Sequence, residues 1–234
     1  MLLNEESMPK TLAIIHTSPT LTPLFTKLCA EYLPDVTVFH MVDESLIKDT
    51  IRNGHVRPVT NRRLLGMLGS AQDAGADAIL VTCSSIGEGV KIGQGLIDVP
   101  VLRVDEAMAE KAVHMGRKIG VMATLRTTLE PTLALLEEKA VAAGVQVELV
   151  PSLCEGAFEA VLAGDTATHD RILTRALQED MRGVDVVALA QASMARVVEA
   201  MGPGMLPMPV LSSPELAVKR TAEVLHMSPA ETAV

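Results

Sequence analysis

The sequence predicts an α/β protein of two similar lobes, each a mostly parallel sheet flanked by helices, with the lobes related by a pseudo-twofold duplication. Two observations carry this. Short, wholly apolar runs alternate with helical periodicity along the chain, and strands that are apolar on both faces belong to parallel sheets covered by helices on both sides. The chain also repeats itself. Thr60-Asn61-Arg62-Arg63-Leu64-Leu65 is echoed 108 positions on by Thr168-His169-Asp170-Arg171-Ile172-Leu173, and Gly75-Ala76-Asp77-Ala78-Ile79-Leu80 by Gly183-Val184-Asp185-Val186-Val187-Ala188. Leu12 to Pro23 runs parallel to Ile119 to Pro131, and Val99-Pro100-Val101-Leu102 answers to Met208-Pro209-Val210-Leu211. At 234 residues the chain is long enough to bury a core in one large or two small domains.

The elements follow in order. Thr11 to His16 (TLAIIH) is an apolar run closed by Thr17-Ser18-Pro19, hence a strand and a turn. Leu21, Leu24, Phe25 and Leu28 then recur at helical spacing. Val36 to His40 (VTVFH) reads as a second strand, since β-branched and aromatic residues suit extended backbone. A helix over Arg62 to Ala74 stops at Gly75, the residue type that ends helices in a left-handed turn. Ala78 to Thr82 and Val99 to Val104 are buried strands, followed by a helix from Glu106 to Gly116. The second copy opens with a strand at Ile119 to Ala123, a threonine-rich turn, a helix from Leu129 to Ala143 and a strand at Val145 to Val150. Ala157 to Leu162 and Asp170 to Met181 read as helices, Val184 to Ala190 and Val210 to Leu211 as strands, and Pro214 to Leu225 as a closing helix. Residues 10–104 with 212–226 are assigned to the first lobe and 105–211 to the second, while 1–9 and 227–234 read as tails. The arginine-rich run from Asn53 to Arg63 has the Gly, Pro and Asn content of a solvated loop or a mobile segment over the cleft.

Composition excludes several classes of function. The chain has no Trp, one Tyr and three Phe, too few aromatics for stacking platforms. A formal charge of −9 leaves no basic stripe for a phosphate backbone, so no nucleic-acid partner is expected. No apolar run approaches the ~20 residues of a membrane span, and Met1 to Lys10 lacks the order of a signal peptide, so the expectation is a soluble, cytoplasmic protein without a membrane partner. Cys29, Cys83 and Cys154 are odd in number and widely spaced, which fits neither a disulfide framework nor a zinc site. The histidines share no ligand spacing, so no metal is assigned. A homo-oligomer, dimer or higher, is the expected assembly, because dimers are common among enzymes of this size.

In parallel sheets ligands bind beyond the carboxyl ends of the strands. Four loops lie there, at His16 to Thr20, Cys83 to Gly87, Thr124 to Thr128 and Gln191 to Met194, all rich in hydroxyl residues. Cys83 is their strong nucleophile, and strand-end amides with a following helix favour a thiolate. Ser84, Ser85, Thr124, Thr127 and Thr128 supply hydroxyls and amides suited to a carboxylate, or to capping the helices they precede. Thr17 is the matching residue of the first copy. At the repeat offset Cys83 falls opposite Gln191, and Ser85 opposite Ser193. Gln191 can orient an anion but cannot carry a proton at neutral pH. Cys29 and Cys154 sit beside helical apolar patterns and read as structural. The glycines from Gly87 to Gly95 match neither a dinucleotide fingerprint nor a P-loop.

VTCSSIG at 81–87, IGVMATLRTT at 119–128 and LAQASMA at 189–195 resemble the aspartate/glutamate racemase superfamily, which includes hydantoin racemases, maleate isomerases and arylmalonate decarboxylases. The resemblance covers nearly the whole chain. It implies a cofactor-independent enzyme, without a bound organic cofactor, that moves protons at the carbon next to the carboxylate of a small-molecule substrate. In that superfamily one cysteine from each lobe typically faces the substrate. Cys83 matches the first, whereas Gln191 stands where the second is placed, so two-sided racemisation is in question. One-sided isomerisation, decarboxylation or a thioester route through Cys83 remain open, as does a non-catalytic small-acid binder.

Overall fold

The computed structural model describes residues 9–202 and 204–226; residues 1–8 and 227–234, read above as tails, lie outside the described residues. Two four-stranded parallel sheets form the frame. The strands β1 (Thr11–His16), β2 (Thr37–Val42), β3 (Ala78–Val81) and β4 (Val101–Arg103) lie in the order β2-β1-β3-β4. The strands β5 (Lys118–Ala123), β6 (Glu148–Leu153), β7 (Val186–Leu189) and β8 (Val210–Ser212) repeat it as β6-β5-β7-β8. The duplication extends to register. Ile15 pairs with Val81 in the first sheet and Met122 with Leu189 in the second, so the chain leaves the sheets with Thr17 beside Cys83 and Thr124 beside Gln191.

The helices are α1 (Thr22–Tyr32), α2 (Glu44–Asn53), α3 (Pro58–Asp73), α4 (Gly87–Gln94), α5 (Glu106–Met115), α6 (Arg126–Ala142), α7 (Ala157–Leu162), α8 (Thr166–Glu179), α9 (Ala195–Met201) and α10 (Ser213–His226). Alternation along each strand sends its side chains to two separate cores. In the first lobe Leu12, Ile14 and Leu80 pack with Phe25 of α1 and Val218 of α10, while Ile15 and Ile79 pack with Leu46, Leu64, Leu68 and Val90 of α2, α3 and α4. In the second, α5 and α6 cover one face of the sheet and α7, α8 and α9 the other. The last helix of each repeat crosses over. The helix α5 follows β4 yet buries Met108, Ala112 and Val113 against Ile119 and Val121, and α10 follows β8 yet packs on the first sheet. This exchange ties the lobes together, and the Arg220–Glu110 ion pair joins the two crossing helices.

Several elements depart from the sequence reading. The strand β6 starts at Glu148, three residues late, because Val145 and Val147 reach the core ahead of the ladder. Three helices, α2, α4 and α9, escape the periodicity. Glycines conceal α4: Gly89 and Gly93 face α3, where an added Cβ would sit 2.9 Å from Leu64 Cδ2 and 2.3 Å from Leu68 Cδ1. Their lack of a side chain lets two helices approach closely. The arginine-rich run is neither a lid nor a solvated loop. It is the end of α2, a short turn and the start of α3, with Arg57 on Asp49 and Arg63 on Asp43. The helix α6 begins at Arg126 rather than Leu129, which puts Thr127 and Thr128 in its first turn instead of a loop.

Candidate active site

In each sheet the chain turns one way from the first strand and the other way from the third, so the carboxyl ends of β1 and β3, and of β5 and β7, flank a switch point where a crevice opens. The two switch points face one shared cleft of about 320 Å³. Thr17, Cys83, Ser84, Ser85, Thr128, Gln191 and Ser193 all line it. A larger, shallower depression of about 690 Å³ near Gly116 and Asp185 lies at the amino ends of β5 and β7, away from these residues.

Cys83 ends the first lobe's central crossover in extended backbone, immediately before a 3₁₀ turn at Ser84–Ile86 that leads into α4. The residue as a whole is half-buried. Burial by the surrounding protein pushes the thiol above its ordinary value, against the opposing pull of the Thr17 hydroxyl, the Ser85 and Ile86 amides and the Ser85 hydroxyl. The expectation of a standing thiolate is therefore corrected. The donors are present, but desolvation by the packed protein outweighs them and favours the thiol.

Across the cleft the symmetric pair is built the same way with different chemistry. The Thr124 amide and hydroxyl both donate to Gln191 Oε1, at 2.6 and 2.8 Å. Because an amide N–H can only donate, these contacts fix the orientation of the carboxamide and leave its Nε2 for the cleft. Thr124 thus stands behind Gln191 and is not among the residues that line the cleft. The lobes are bridged where Ser85 Oγ lies 2.9 Å from Thr128 Oγ1. Thr127, one residue earlier on α6, lies outside the cleft. It lines an adjoining crevice of about 400 Å³ with Glu88, Lys91 and Arg103, and its buried Oγ1 has no partner. Consecutive helical residues point about 100° apart, in keeping with Thr128 on the cleft and Thr127 on the adjoining crevice.

His16 is fully buried, its ring nitrogens 2.8 Å from Thr82 Oγ1 and 2.9 Å from His40 Nδ1, and His40 Nε2 lies 3.1 Å from Thr26 Oγ1. It is a satisfied side chain, not a free acid. Burial, and then the charge of His40, lowers its pKa from 6.5 to about 4. Such a group takes up its proton on unfolding, so its contribution to stability is complete above pH 6.5 and is lost as the pH falls towards 4. The urea midpoint is expected to decline across that window, and less so in His16→Gln; equal declines would assign the acid sensitivity elsewhere.

Sequence reasoning missed the apolar wall of the cleft, formed by Leu21, Ile47, Leu125, Phe158, Val161 and Leu162. Ile47 comes from the unforeseen α2. Leu21 and Leu125 stand just ahead of α1 and α6, and Phe158, Val161 and Leu162 sit on α7, whose flanking glycines, Gly156 and Gly164, take positive φ of 81° and 77°. Cys29 and Cys154 are buried, and burial pushes both thiols up to about 11. Cys154 directly follows β6 at a strand end, three residues ahead of α7, and packs among Ala157 and Leu173 of α7 and α8. Among the described residues no cluster could hold a metal ion, and no helix is long and apolar enough to cross a membrane.

Residues 12–221 match the Asp/Glu/Hydantoin racemase family. Solved structures with this fold include glutamate racemase from Thermus thermophilus in complex with β-chloro-D-alanine, at 19% identity and a TM-score of 0.73 over 95% of this chain and 85% of that one. Aspartate racemase from Picrophilus torridus aligns at 15% identity and a TM-score of 0.66 over 92% and 94% of the respective chains. Allantoin racemase from Klebsiella pneumoniae aligns at 16% identity and a TM-score of 0.62 over 92% and 86%. No curated protein matches the sequence.

Proposed function

The chain belongs to the Asp/Glu/hydantoin racemase family, and on that premise we propose that it catalyses cofactor-independent proton transfer at the carbon next to a carboxylate of a small acid, with Cys83 as the proton carrier. One observation carries this reading. Among the described residues lining the cleft, Cys83 alone has an ionisable side chain, and the symmetric position opposite holds an amide.

Two-sided racemisation needs an acid facing the base, and Gln191 cannot be one. The chemistry therefore takes place on one face. A thiol held protonated by burial suits the delivery step, in which the S–H bond breaks, a C–H bond forms on the carbanion, and the thiolate regains its proton from water. The carbanion arises either by loss of the α proton to the Cys83 thiolate or by loss of carbon dioxide from a second carboxylate. The Thr17 and Ser85 donors then steady the thiolate between steps. Gln191 Nε2, Ser84 and Ser193 face the same space, and fixed donors there bind the enediolate, with its added charge, more tightly than the acid it comes from.

Incubation with candidate acids in heavy water tests the proposal. Deuterium is expected at the carbon next to the carboxylate, with a single configuration in the product. If a broad panel yields neither exchange nor carbon dioxide, the reading fails.

A further inference from the structure

We propose, resting on the carbon-acid reading above, that the substrate bears an apolar group on the reacting carbon and no ammonium group, which sets it apart from acidic amino acids. The cleft has two unlike halves. One is made of hydroxyls, the Cys83 thiol and the Gln191 amide, and it supplies neutral donors for one carboxylate. The other is hydrocarbon, with Leu21, Ile47, Leu125, Phe158, Val161 and Leu162. Among the described residues that line it there is no Asp, Glu, Lys, Arg or His.

The charged neighbours in sequence do not line the cleft, and several have ion-pair partners outside it. Lys48, next to Ile47, pairs with Glu44; Arg126, next to Leu125, pairs with Glu130. Arg103 and the fully buried Asp105, on either side of Val104 in the chain order, pair with each other. An ammonium brought into this cleft meets no anionic side chain, and a side-chain carboxylate directed at the apolar half meets no cation. Both would lose hydration without a charged partner in return. An apolar group has the opposite balance. Leu162 is 72% exposed at the mouth of the cleft, on a helix whose other cleft residues, Phe158 and Val161, are only partly covered, so a ligand's hydrocarbon removes apolar surface from water there. A volume of about 320 Å³ equals roughly ten water volumes, which suits an acid of about ten non-hydrogen atoms.

The test uses the intact protein and reads ligand binding separately from turnover. Cys83 is alkylated with iodoacetamide and its peptide is followed by mass spectrometry, with 2-methylbutyrate, 2-phenylpropionate, L- and D-aspartate or L- and D-glutamate as protectants. The same acids are then followed for deuterium uptake in heavy water. The two apolar acids are expected to slow alkylation at concentrations at least about tenfold below those at which aspartate or glutamate does, and Leu162→Asp is expected to weaken that protection about tenfold, as loss of one leucine's buried hydrocarbon implies. Equal or better protection by aspartate or glutamate overturns the inference, as does a lack of protection by both apolar acids. Protection by the apolar acids, with no deuterium uptake in any of them and no carbon dioxide released from the corresponding 2,2-disubstituted malonates, upholds the ligand class and removes the proton-transfer reading instead. Cys83-dependent exchange confined to the acidic amino acids does the reverse.

Discussion

Cys83→Ala is expected to lower kcat by about 10³-fold or more, because among the described residues lining the cleft no other ionisable side chain is left to carry the proton, a role worth roughly 10²–10⁴-fold in rate. Binding should survive. The proposed carboxylate donors, on Ser84, Gln191 and Ser193, and the apolar wall are left in place by the substitution. The signature is thus a collapse in the rate of deuterium incorporation with ligand affinity, read by calorimetry, changed by less than a few-fold. Cys83→Ser is expected to be nearly as inactive, since an unassisted hydroxyl is a poor proton carrier. A protein that only binds small acids would show affinity and nothing else to lose, so retained turnover in the alanine variant would remove the cysteine from the chemistry altogether. The pH profile adds a second check. With burial raising the thiol, the fraction of thiolate increases with pH through and above neutrality, so a step in which Cys83 takes the proton accelerates as pH rises, whereas delivery of a proton to a carbanion slows.

Much of this site was legible in the sequence, for a physical reason. Apolar runs such as Ala78–Val81 and Val186–Leu189 can only be central parallel strands, and the ends of such strands are where ligands bind. The internal repeat aligns Cys83 with Gln191, and the matched strand registers place them in equivalent positions. What the sequence concealed depended on rotation, burial and close approach. The triad Thr124, Thr127 and Thr128 reads as one anion-binding loop, but the start of α6 at Arg126 sends the three to different places: behind Gln191, into a neighbouring crevice, and into the cleft. The acidity of Cys83 was misjudged because amides and a helix start can be inferred from spacing, whereas the desolvation that opposes them depends on both lobes packing around the sulfur. The helix α4 was hidden because Gly89 and Gly93, which signal a loop locally, are there to admit Leu64 and Leu68 from α3. The apolar wall was assembled from segments far apart in the chain, with no local signal that Ile47 and Phe158 meet the same ligand.

Gln191→Leu is expected to lower kcat by about 10²-fold, the scale seen when one preorganised donor to a developing oxyanion is removed. The loss has two sources that must be told apart. Leucine takes the Nε2 donor from the cleft, and it also strips the Thr124 amide and hydroxyl of the oxygen both now donate to. An unpaired, largely buried donor costs about 1–3 kcal/mol, so the melting temperature should fall by several degrees. Gln191→Glu separates the two effects. Its carboxylate offers Thr124 the same acceptor in the same place, so stability is retained, but the cleft now receives an oxygen and a negative charge where the amide donor stood. A carboxylate facing the substrate carboxylate repels both the bound acid and the more highly charged enediolate, so turnover should fall at least as far as in the leucine variant while the melting temperature stays near that of the parent. A stable, active glutamate variant would mean that Gln191 only buttresses Thr124 and that the second lobe contributes shape rather than charge stabilisation. A stable, inactive one would assign the amide to the reacting carboxylate, and with it the division of labour between the lobes, in which the first moves the proton and the second holds the charge that the proton leaves behind.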